Sequence, residues 1–467
     1  MSVPFDLRDA LRWTGGRMLA ERPAAVFHGA GIDTRTLRPG DLFVAIRGER
    51  HDAHRFLARA LEAGAAGLVV DEAYAADAGT AFDVPVLVVD DTTRALGALA
   101  AGHRQTFTGR VVAITGSNGK TTTKEMCHAI LAVGGPCLKN QGNLNNEFGL
   151  PLTLLSREPE HVGAVVELGM NHRGEIARLA AIAKPDVGVI TNVGTAHIEY
   201  LGSRDNIALE KGDLVASLAA TGIAVLNADD PLVDAQARRT AARVIRFGLT
   251  DSADVRARNA RFDGDARFLY TLCSPLGETH VRIAGLGETT VINSLAAAAA
   301  AIAAGASLEQ IAEGLGRFEA VHGRMQSVKL ASGAHVIDDT YNANPQSVRA
   351  ALESLARLKG KGRSIAVLGD MGELGDDAPA AHREAGRLAG ELGIDFLYAL
   401  GSRAEGVVAG AREAGMQGEH VQIGRDHAEI GSQVGARLRS GDWVLVKGSR
   451  AMQMEKVVEA LLDGESD

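Results

Sequence analysis

Short apolar runs separated by helix-length segments recur along most of the 467-residue chain. Strands that helices cover on both faces have near-continuous apolar sequences, and such strands occur mainly in parallel sheets. The pattern therefore predicts an α/β fold with doubly wound, mostly parallel sheets. The predicted strands are residues 42–46, 67–71, 86–90, 111–116, 163–169, 187–194, 222–230, 335–341, 364–372, 395–401 and 442–448.

Changes in this pattern, rather than long linkers, mark the predicted domain boundaries. We predict a small α/β N-terminal domain over residues 1–85, a central domain over 86–315 and a C-terminal α/β domain over 316–467. Hydrophobic residues make up 46% of the chain, which is enough to give each domain a core.

Composition and charge exclude several functional classes. The formal net charge of −9 argues against a general nucleic-acid-binding surface. The three cysteines show no C-x-x-C spacing, which argues against a zinc site or a disulfide framework and suits a reducing compartment. The longest apolar run, residues 295–304, is shorter than the ~20 residues that a membrane span needs, and the first residues lack an apolar signal segment. We therefore expect a cytoplasmic protein with no membrane or nucleic-acid partner.

The predicted strand at 111–116 runs into a glycine loop and then into a predicted helix. Backbone N–H groups at a helix N-terminus bind anions, the glycines let the backbone approach a phosphate, and the lysine and threonine supply a cation and a magnesium ligand. The match to G-x-x-x-x-G-K-[ST] is partial, because Ile114 stands at the first glycine position. An ordinary glycine-rich turn is the alternative; the order of elements favours nucleotide binding. The predicted loop residues are Thr115, Gly116, Ser117, Asn118, Gly119, Lys120, Thr121 and Thr122.

Three further residues with metal-binding chemistry follow in order. Glu167 ends a predicted strand, His197 follows another, and Lys211 lies on a predicted helix in E-K-G-D. A carboxylate at the carboxyl end of a strand, beside a phosphate loop, is well placed for magnesium. Taken singly, these residues are also explained as a helix cap, a loop histidine and a solvated lysine.

The string T-G-S-N-G-K-T resembles the ATP loop of the Mur ligases, the ATP-dependent amide-forming enzymes of peptidoglycan precursor synthesis. The resemblance covers almost the whole chain. I-D-D-T-Y-N-A-N-P-Q-S, L-G-D-M-G-E-L-G-D and V-K-G-S-R-A-M-Q-M-E resemble the members that add D-alanyl-D-alanine to UDP-N-acetylmuramoyl-tripeptide. The D-N-P-R motif typical of the members that add the third amino acid is absent from the sequence.

The resemblance implies ATP and Mg²⁺ as cofactors and a P-loop-type ATPase as the central domain. It places Thr121 and Glu167 around one magnesium ion, and Glu167, His197 and a carbamylated Lys211 around a second. Carbamylation would convert the lysine from a cation into an anion. The resemblance also implies a Rossmann-like C-terminal domain and a UDP-sugar-binding N-terminal domain.

The same resemblance assigns residues to the nucleotide. Asn293, which we expect to begin a helix, would read an adenine edge, although a helix cap is the alternative. Arg324 would reach the ATP phosphates when the domains close. Asp339 would accept from ribose hydroxyls, and Tyr341 or Asn344 would border the nucleoside.

The remaining predicted contacts concern the other substrates. The amide-rich segment 139–151 would lie on the acceptor side and hold the acceptor through Asn140, Asn143 and Asn146. Residues 368–376 and 446–455 would help to form the site of the incoming amine, with structural turns as the alternative. In the N-terminal domain, the residues expected to meet the UDP group are Thr34, Arg35, Gly48, His51, Asp52 and His54.

The resemblance thus implies a monomeric, ADP-forming ligase that joins D-alanyl-D-alanine to UDP-N-acetylmuramoyl-tripeptide through an acyl phosphate. Two alternatives remain. Folylpolyglutamate synthases are related ligases, but they usually lack a separate UDP-binding domain, for which the residues before the phosphate loop leave room. The second alternative is a nucleotide-gated binding module that hydrolyses ATP slowly. The predicted metal ligands argue against this alternative.

Overall fold

The computed structural model describes residues 2–20, 24–48, 51–77, 82–263 and 266–463. The N-terminal domain contains a sheet in the order β2-β7-β6-β5-β4, parallel except for its edge strand β2, and a small β1–β3 ladder. Its elements are β1 (Phe5–Asp6), α1 (Leu7–Thr14), β2 (Arg17–Met18), β3 (Val26–Phe27), β4 (Ala30–Gly31), β5 (Leu42–Val44), α2 (Leu57–Glu62), β6 (Gly67–Asp71), α3 (Glu72–Asp77) and β7 (Val86–Val89).

The central domain follows α4 (Thr92–Gln105) and is built on a sheet in the order β16-β15-β14-β13-β12-β11-β8-β10-β9. Strands β8 to β13 pair in parallel, and β14 to β16 form an antiparallel extension. The elements are β8 (Arg110–Thr115), α5 (Lys120–Leu131), β9 (Cys137–Lys139), α6 (Gly149–Leu155), β10 (Gly163–Glu167), α7 (Glu175–Ala183), β11 (Val187–Ile190), α8 (Ile198–Leu201), α9 (Arg204–Ala216), β12 (Ile223–Asn227), α10 (Pro231–Asp234), β13 (Arg243–Gly248), β14 (Val255–Phe262), β15 (Arg267–Ser274), β16 (Gly277–Ala284), α11 (Glu288–Ala304) and α12 (Leu308–Arg317).

The C-terminal domain has a sheet in the order β17-β18-β22-β19-β20-β21, parallel except for its edge strand β17. This is a doubly wound arrangement. The elements are β17 (Gln326–Lys329), β18 (His335–Asp339), α13 (Pro345–Leu358), β19 (Ser364–Gly369), α14 (Ala378–Glu391), β20 (Phe396–Leu400), α15 (Ala404–Glu413), β21 (Val421–Ile423), α16 (His427–Arg437), β22 (Trp443–Lys447) and α17 (Glu455–Asp463).

Alternation along the strands explains why helices cover both faces of the central sheet. In β8, Val111 and Ala113 pack into one apolar core, and Val112 and Ile114 pack into a second core on the opposite face. Helices α4, α6, α7 and α9 contribute to the first core, and α5, α11 and α12 contribute to the second. The first core also contains the inward side chains of the N-terminal sheet, so these two domains share one core.

The predicted α/β class and all eleven predicted strands are confirmed, with ends that shift by a few residues. The boundary predicted at residue 85 is wrong, because β7 pairs with β6 inside the first sheet. The boundary predicted at residue 315 falls inside α12, which ends at Arg317 and packs against α5 and β16. No helix among the described residues is long and apolar enough to cross a membrane.

Candidate active site

A cavity of about 1250 Å³ lies between the central and C-terminal domains. Its central wall is formed at the carboxyl ends of β10, β8 and β11, which are adjacent parallel strands, and open α/β sheets bind ligands at this edge. The opposite wall comes from the segment after α12 and from the loops after β18, β19 and β22. The predicted residues that line the cavity are Ser117, Asn118, Gly119, Lys120, Thr121, Thr122, Asn143, Asn146, Glu167, His197, Lys211, Asn293, Arg324, Asp339, Tyr341 and Asn344.

The phosphate loop connects β8 to α5 in a conformation that only glycine fits easily. Gly116 has φ 151°, and a Cβ at this position would come 1.9 Å from the Thr191 hydroxyl oxygen. Gly119 is the N-cap of α5 at φ 79°, and no side chain caps that helix end. The free N–H groups of the first turn therefore face the cavity, together with the positive end of the helix dipole.

Lys120 folds back along this loop, where its Nζ donates to the Gly116 carbonyl at 2.9 Å. Desolvation in the cavity wall lowers the pKa of Lys120, and the nearby Glu167 carboxylate opposes this effect. Asn293 lies directly above the loop, because a Cβ on Gly119 would approach its Oδ1 to 2.3 Å. We expected Asn293 to begin a helix, but α11 begins at Glu288. Asn293 therefore lies inside the helix, and the helix-cap alternative is wrong.

Glu167 is the centre of a buried polar cluster at the end of β10. Its Oε2 accepts from the Thr121 hydroxyl at 2.7 Å, and its Oε1 accepts from Asn145 Nδ2 at 2.8 Å. Asn140, which is fully buried, brackets the Glu167 backbone by accepting from its N–H and donating to its carbonyl. Asn140 therefore does not line the cavity, and its contact with the acceptor stays a prediction. Asn145 was missed, although it lies in the same amide-rich segment.

Lys211 is buried on α9, and its side chain lines the cavity. Desolvation lowers the pKa of Lys211 well below its ordinary value, and the nearby Lys120 ammonium lowers it further. The neighbouring Glu210 points away to the N-terminus of α7, where it accepts from the N–H groups of Gly174 and Ile176 at 2.7 and 2.9 Å. Adjacent residues of one helix thus serve two separate sites.

His197 meets a residue of the C-terminal domain. Its Nδ1 lies 2.6 Å from a Glu373 carboxylate oxygen, and this contact with His197 lowers the pKa of Glu373. The string that contains Glu373 was predicted to bind the amine, but this residue was not singled out. Its contact depends on how two domains meet, which no local sequence pattern reveals.

Arg324 enters the cavity from the segment that joins the central and C-terminal domains. Its guanidinium stacks on the Tyr341 ring, with Cζ 4.0 Å from the ring centroid. Asp339 is already engaged, because Lys447 Nζ donates to its Oδ2 at 2.6 Å and the Met325 N–H donates to its Oδ1 at 3.2 Å. The buried Lys447 also lines the cavity and was missed as an individual residue.

The N-terminus of α13 docks on the phosphate loop. Asn344 caps α13 by accepting from the Ser347 N–H, and its Nδ2 donates to Asn118 Oδ1 at 2.7 Å. Gln346 Oε1 accepts from the Thr195 hydroxyl at 2.9 Å. Asn344 thus connects two domains as well as lining the cavity.

Other predicted residues lie away from the cavity. The Thr115 side chain is buried and donates to the Leu168 carbonyl, so it does not reach the cavity. In the N-terminal domain, His54 is buried, with Asp52 Oδ1 beside its Nδ1 and the Asp71 N–H donating to its Nε2, and its contact with UDP stays a prediction. Asp52 is likewise occupied by His54 and Arg47. None of the described residues Thr34, Arg35, Gly48 and His51 lines the cavity.

Comparison with known families accounts for most of the chain. Residues 26–104 match the catalytic domain of the Mur ligase family, residues 114–301 match the Mur ligase middle domain, and residues 323–450 match the Mur ligase glutamate ligase domain. The chain belongs to the Mur ligase family. The family matches keep the order of the three structural domains.

Relatives within the Mur ligases cover the chain almost fully. UDP-N-acetylmuramoyl-tripeptide–D-alanyl-D-alanine ligase from Escherichia coli K12 is 39% identical over 92% of both chains, and its counterpart from Bacillus subtilis 168 is 34% identical over 94% of both. A crystal structure of MurF from Acinetobacter baumannii superposes with a TM-score of 0.90 at 34% identity, covering 99% of each chain. MurF from Thermotoga maritima in complex with ADP superposes at 0.83, with 28% identity over 94% of this chain and 98% of that one.

One further solved structure shares the fold alone. Folylpolyglutamate synthase from Mycobacterium tuberculosis, complexed with ADP and AMPPCP, superposes with a TM-score of 0.63 at 18% identity. It covers 79% of this chain, whereas the A. baumannii structure covers 99%.

Proposed function

We propose that the chain is an ATP-dependent ligase that joins D-alanyl-D-alanine to UDP-N-acetylmuramoyl-tripeptide and releases ADP and phosphate. The observation that carries this proposal is the cavity itself. The phosphate loop and the Thr121–Glu167 pair line its central-domain wall, and Arg324 and Lys447 line the opposite wall. The named relatives, which match nearly the whole chain, supply the substrate class.

The reaction has two steps. A terminal carboxylate oxygen of the tripeptide attacks the γ-phosphorus of ATP, the bond to the bridging oxygen of the β-phosphate breaks, and ADP leaves. The amine nitrogen of the dipeptide then attacks the acyl carbon, phosphate departs, and the nitrogen loses its proton. Lys120, Arg324 and the N-terminus of α5 line the cavity and would face the transferring phosphoryl group, where fixed positive charge lowers the barrier.

The residues around Glu167 fit magnesium. Mg²⁺ prefers hard oxygen ligands and is usually held by one or two carboxylates together with substrate phosphates and water. Among the described residues, no group of three or more His, Cys, Asp and Glu side chains forms a metal site, so the ATP phosphates would complete the coordination. Thr121 and Glu167 would hold one ion, and Glu167, His197 and Lys211 would surround a second, which would offset the phosphate charge.

Lys211 would enter this site as a carbamate. A lysine reacts with CO₂ only as the neutral amine, and its burial beside Lys120 favours that form. The resulting anion would lie near the Lys120 ammonium, where the opposite charges attract. We expect Lys211→Ala to lose activity and short carboxylic acids or bicarbonate to restore part of it.

The other substrate groups are assigned by the resemblance and by the cavity lining. Asn293 and Tyr341 would border the nucleoside, and Asn143 and Asn146 would meet the tripeptide. Thr34, Arg35, Gly48 and His51 would contact the UDP group from the N-terminal domain. We expect the enzyme to act as a monomer in the cytoplasm, where these precursors are made.

One assay tests the proposal against its alternatives. Purified protein is incubated with ATP, Mg²⁺, UDP-N-acetylmuramoyl-tripeptide and D-alanyl-D-alanine, and released phosphate and product mass are measured together. We expect phosphate release that requires both substrates and is lost in Lys120→Ala. Phosphate release without either substrate would instead indicate a nucleotide-gated module, and release that requires a folate and glutamate would indicate a folylpolyglutamate synthase.

A further inference from the structure

The two ring nitrogens of His197 have different surroundings. Nδ1 is buried and lies 2.6 Å from Glu373 Oε2, but the angle of this contact lies outside the range of a hydrogen bond. No described residue forms a hydrogen bond with Nε2, and the His197 side chain lines the cavity. This geometry leaves Nε2 as the nitrogen whose lone pair is available to a ligand in the cavity.

The backbone at Glu373 is anchored by its neighbours in the C-terminal domain, whereas its side chain is 41% exposed. The flanking residues Met371 and Leu374 are buried in the core of the C-terminal domain, and the Met371 N–H donates to the buried His382 Nε2 at 2.9 Å. Glu373 itself has φ 59°, a left-handed conformation that is strained for a non-glycine residue. Such strain persists where the surrounding structure fixes it, and it is concentrated at functional positions.

A carboxylate at one nitrogen of a histidine has a known effect on the other nitrogen. When a histidine binds a metal ion, its remaining N–H usually donates to a carboxylate or carbonyl, which fixes the tautomer and orients the ring. With the proton on Nδ1, a turn of the ring or of the carboxylate would direct this N–H at Glu373, and the ring would then present an unprotonated Nε2 to the cavity.

We propose that Glu373 is a positioning residue that orients His197 for magnesium from the opposite domain. The inference rests on the proposed magnesium site at His197. Glu373 does not touch the reacting atoms; it acts through the imidazole. Because Glu373 belongs to the C-terminal domain and His197 to the central domain, the complete metal environment forms only when the two domains meet.

This arrangement links two equilibria. If domain docking strengthens metal binding, then metal binding must favour docking by the same free energy. Glu373 is therefore expected to influence both the affinity for the metal and the fraction of molecules in which α13 is docked on the phosphate loop.

The test uses Mn²⁺ as a spectroscopic probe of the full-length protein. Electron paramagnetic resonance measures Mn²⁺ affinity, with a non-hydrolysable ATP analogue present, for the wild type and for Glu373→Ala, Glu373→Gln and His197→Ala. We expect Glu373→Ala to weaken Mn²⁺ binding about 10- to 100-fold. Glu373→Gln should restore much of the affinity, since its amide oxygen still accepts from Nδ1. Asp376→Asn is the matched control, because Asp376 is exposed on the same loop and does not line the cavity.

The outcomes separate the two proposals. If the loss of affinity in His197→Ala is absent, the magnesium site itself is wrong. If His197→Ala weakens binding but Glu373→Ala stays within twofold of the wild type, only the role of Glu373 is overturned. Equal losses in Glu373→Gln and Glu373→Ala would also overturn it, because the charge rather than the hydrogen bond would matter. Small-angle scattering of the same variants measures docking, and we expect Glu373→Ala to be less compact with the analogue bound.

Discussion

Gly119 combines two constraints that a single substitution can separate. Its φ of 79° is left-handed, and its missing Cβ leaves room for the Asn293 amide. Alanine at this position would incur backbone strain and would also displace Asn293 from the roof of the phosphate loop. The same residue is therefore important for both the stability of the loop and the shape of the nucleotide site.

We expect Gly119→Ala to lower the free energy of unfolding by about 1–2 kcal/mol from backbone strain alone and to raise the KM for ATP. Gly15→Ala is the control, because Gly15 has φ 65° but nothing lies within 4 Å of its absent Cβ. Urea unfolding and ATP kinetics of both variants provide the measurement. An unchanged KM in Gly119→Ala would show that Asn293 does not shape the nucleotide site.

The buried His103 makes the free energy of unfolding depend on pH. It lies on α4 with 1% of its surface exposed, its Nε2 is 3.0 Å from the Val3 carbonyl, and burial lowers its pKa below the ordinary value of 6.5. The unfolded chain therefore takes up this proton first as the pH falls. The stabilisation is complete above about pH 6.5 and is lost as the pH falls toward the folded-state pKa.

We expect His103→Gln to flatten the fall in unfolding free energy between pH 7.5 and 5.5. A single group can contribute at most about 1.4 kcal/mol per pH unit. Urea titrations of the wild type, His103→Gln and the exposed control His280→Gln measure the slopes. If the slope of His103→Gln equals that of the wild type, this histidine is not the group that titrates.

Site residues that belong to a local sequence motif could be predicted from the sequence. Site residues that reach the cavity only through contacts between domains could not. The phosphate loop, Glu167, His197 and Lys211 follow strands or helices of one domain, so their order along the chain was informative. Glu373 reaches the cavity only because two domains meet. Asn140 and His54 were placed on substrates because their sequence strings resemble the family's, whereas both side chains are buried.

At the scale of elements, α13 has two separable roles at its first residue. Asn344 caps the helix through Oδ1 and bonds to Asn118 through Nδ2. Serine is an equally good N-cap but is too short to span the distance to Asn118. The two substitutions Asn344→Ser and Asn344→Ala therefore distinguish the stability of the helix from the docking of the domain.

We expect Asn344→Ser to keep the stability of the wild type, and Asn344→Ala to lose about 0.5–2 kcal/mol. Both should loosen the contact with the phosphate loop, which admits water to the acyl phosphate and releases more than one phosphate per product formed. Unfolding curves and the ratio of phosphate to product are the measurements. A ratio of one in both variants would indicate that this contact does not exclude water.

Elements with continuous apolar sequences were predicted well, and elements with mixed sequences were not. All eleven predicted strands are present, but several others were missed, among them β9, β13 and β21 and the neighbouring strands β14, β15 and β16. Strands β14, β15 and β16 lie at the exposed side of the central sheet, where polar and charged side chains alternate with apolar ones. The predicted start of α11, Asn293, lies five residues after its actual start at Glu288. The first turn, E-T-T-V-I, contains β-branched residues, which are weak helix formers.

On the scale of the whole molecule, two of the three domains are one packing unit. Leu42, Val69 and Leu87 of the N-terminal sheet belong to the same apolar core as Val111 and Ala164 of the central sheet. The C-terminal sheet has separate cores on its two faces. Its contacts with the phosphate-loop side of the cavity are polar pairs such as Asn118–Asn344 and Thr195–Gln346.

We expect differential scanning calorimetry to show two unfolding transitions, one for the C-terminal domain and one for the N-terminal and central domains together. A non-hydrolysable ATP analogue should raise the temperatures of both, because it binds only while the cavity walls are folded. A protein lacking residues 326–463 should keep the second transition alone. A third transition, assigned to the N-terminal domain, would contradict a shared core.

The shared core also has a consequence for the order in which the protein is made. The inner face of the N-terminal sheet, with Leu42, Val69 and Leu87, is covered by α4 and α6, which are synthesised later. Emerging from the ribosome, the first sheet therefore exposes an apolar surface until about residue 155 has left the exit tunnel. During that interval the nascent chain is a natural client for chaperones, and its first two domains acquire their stability together.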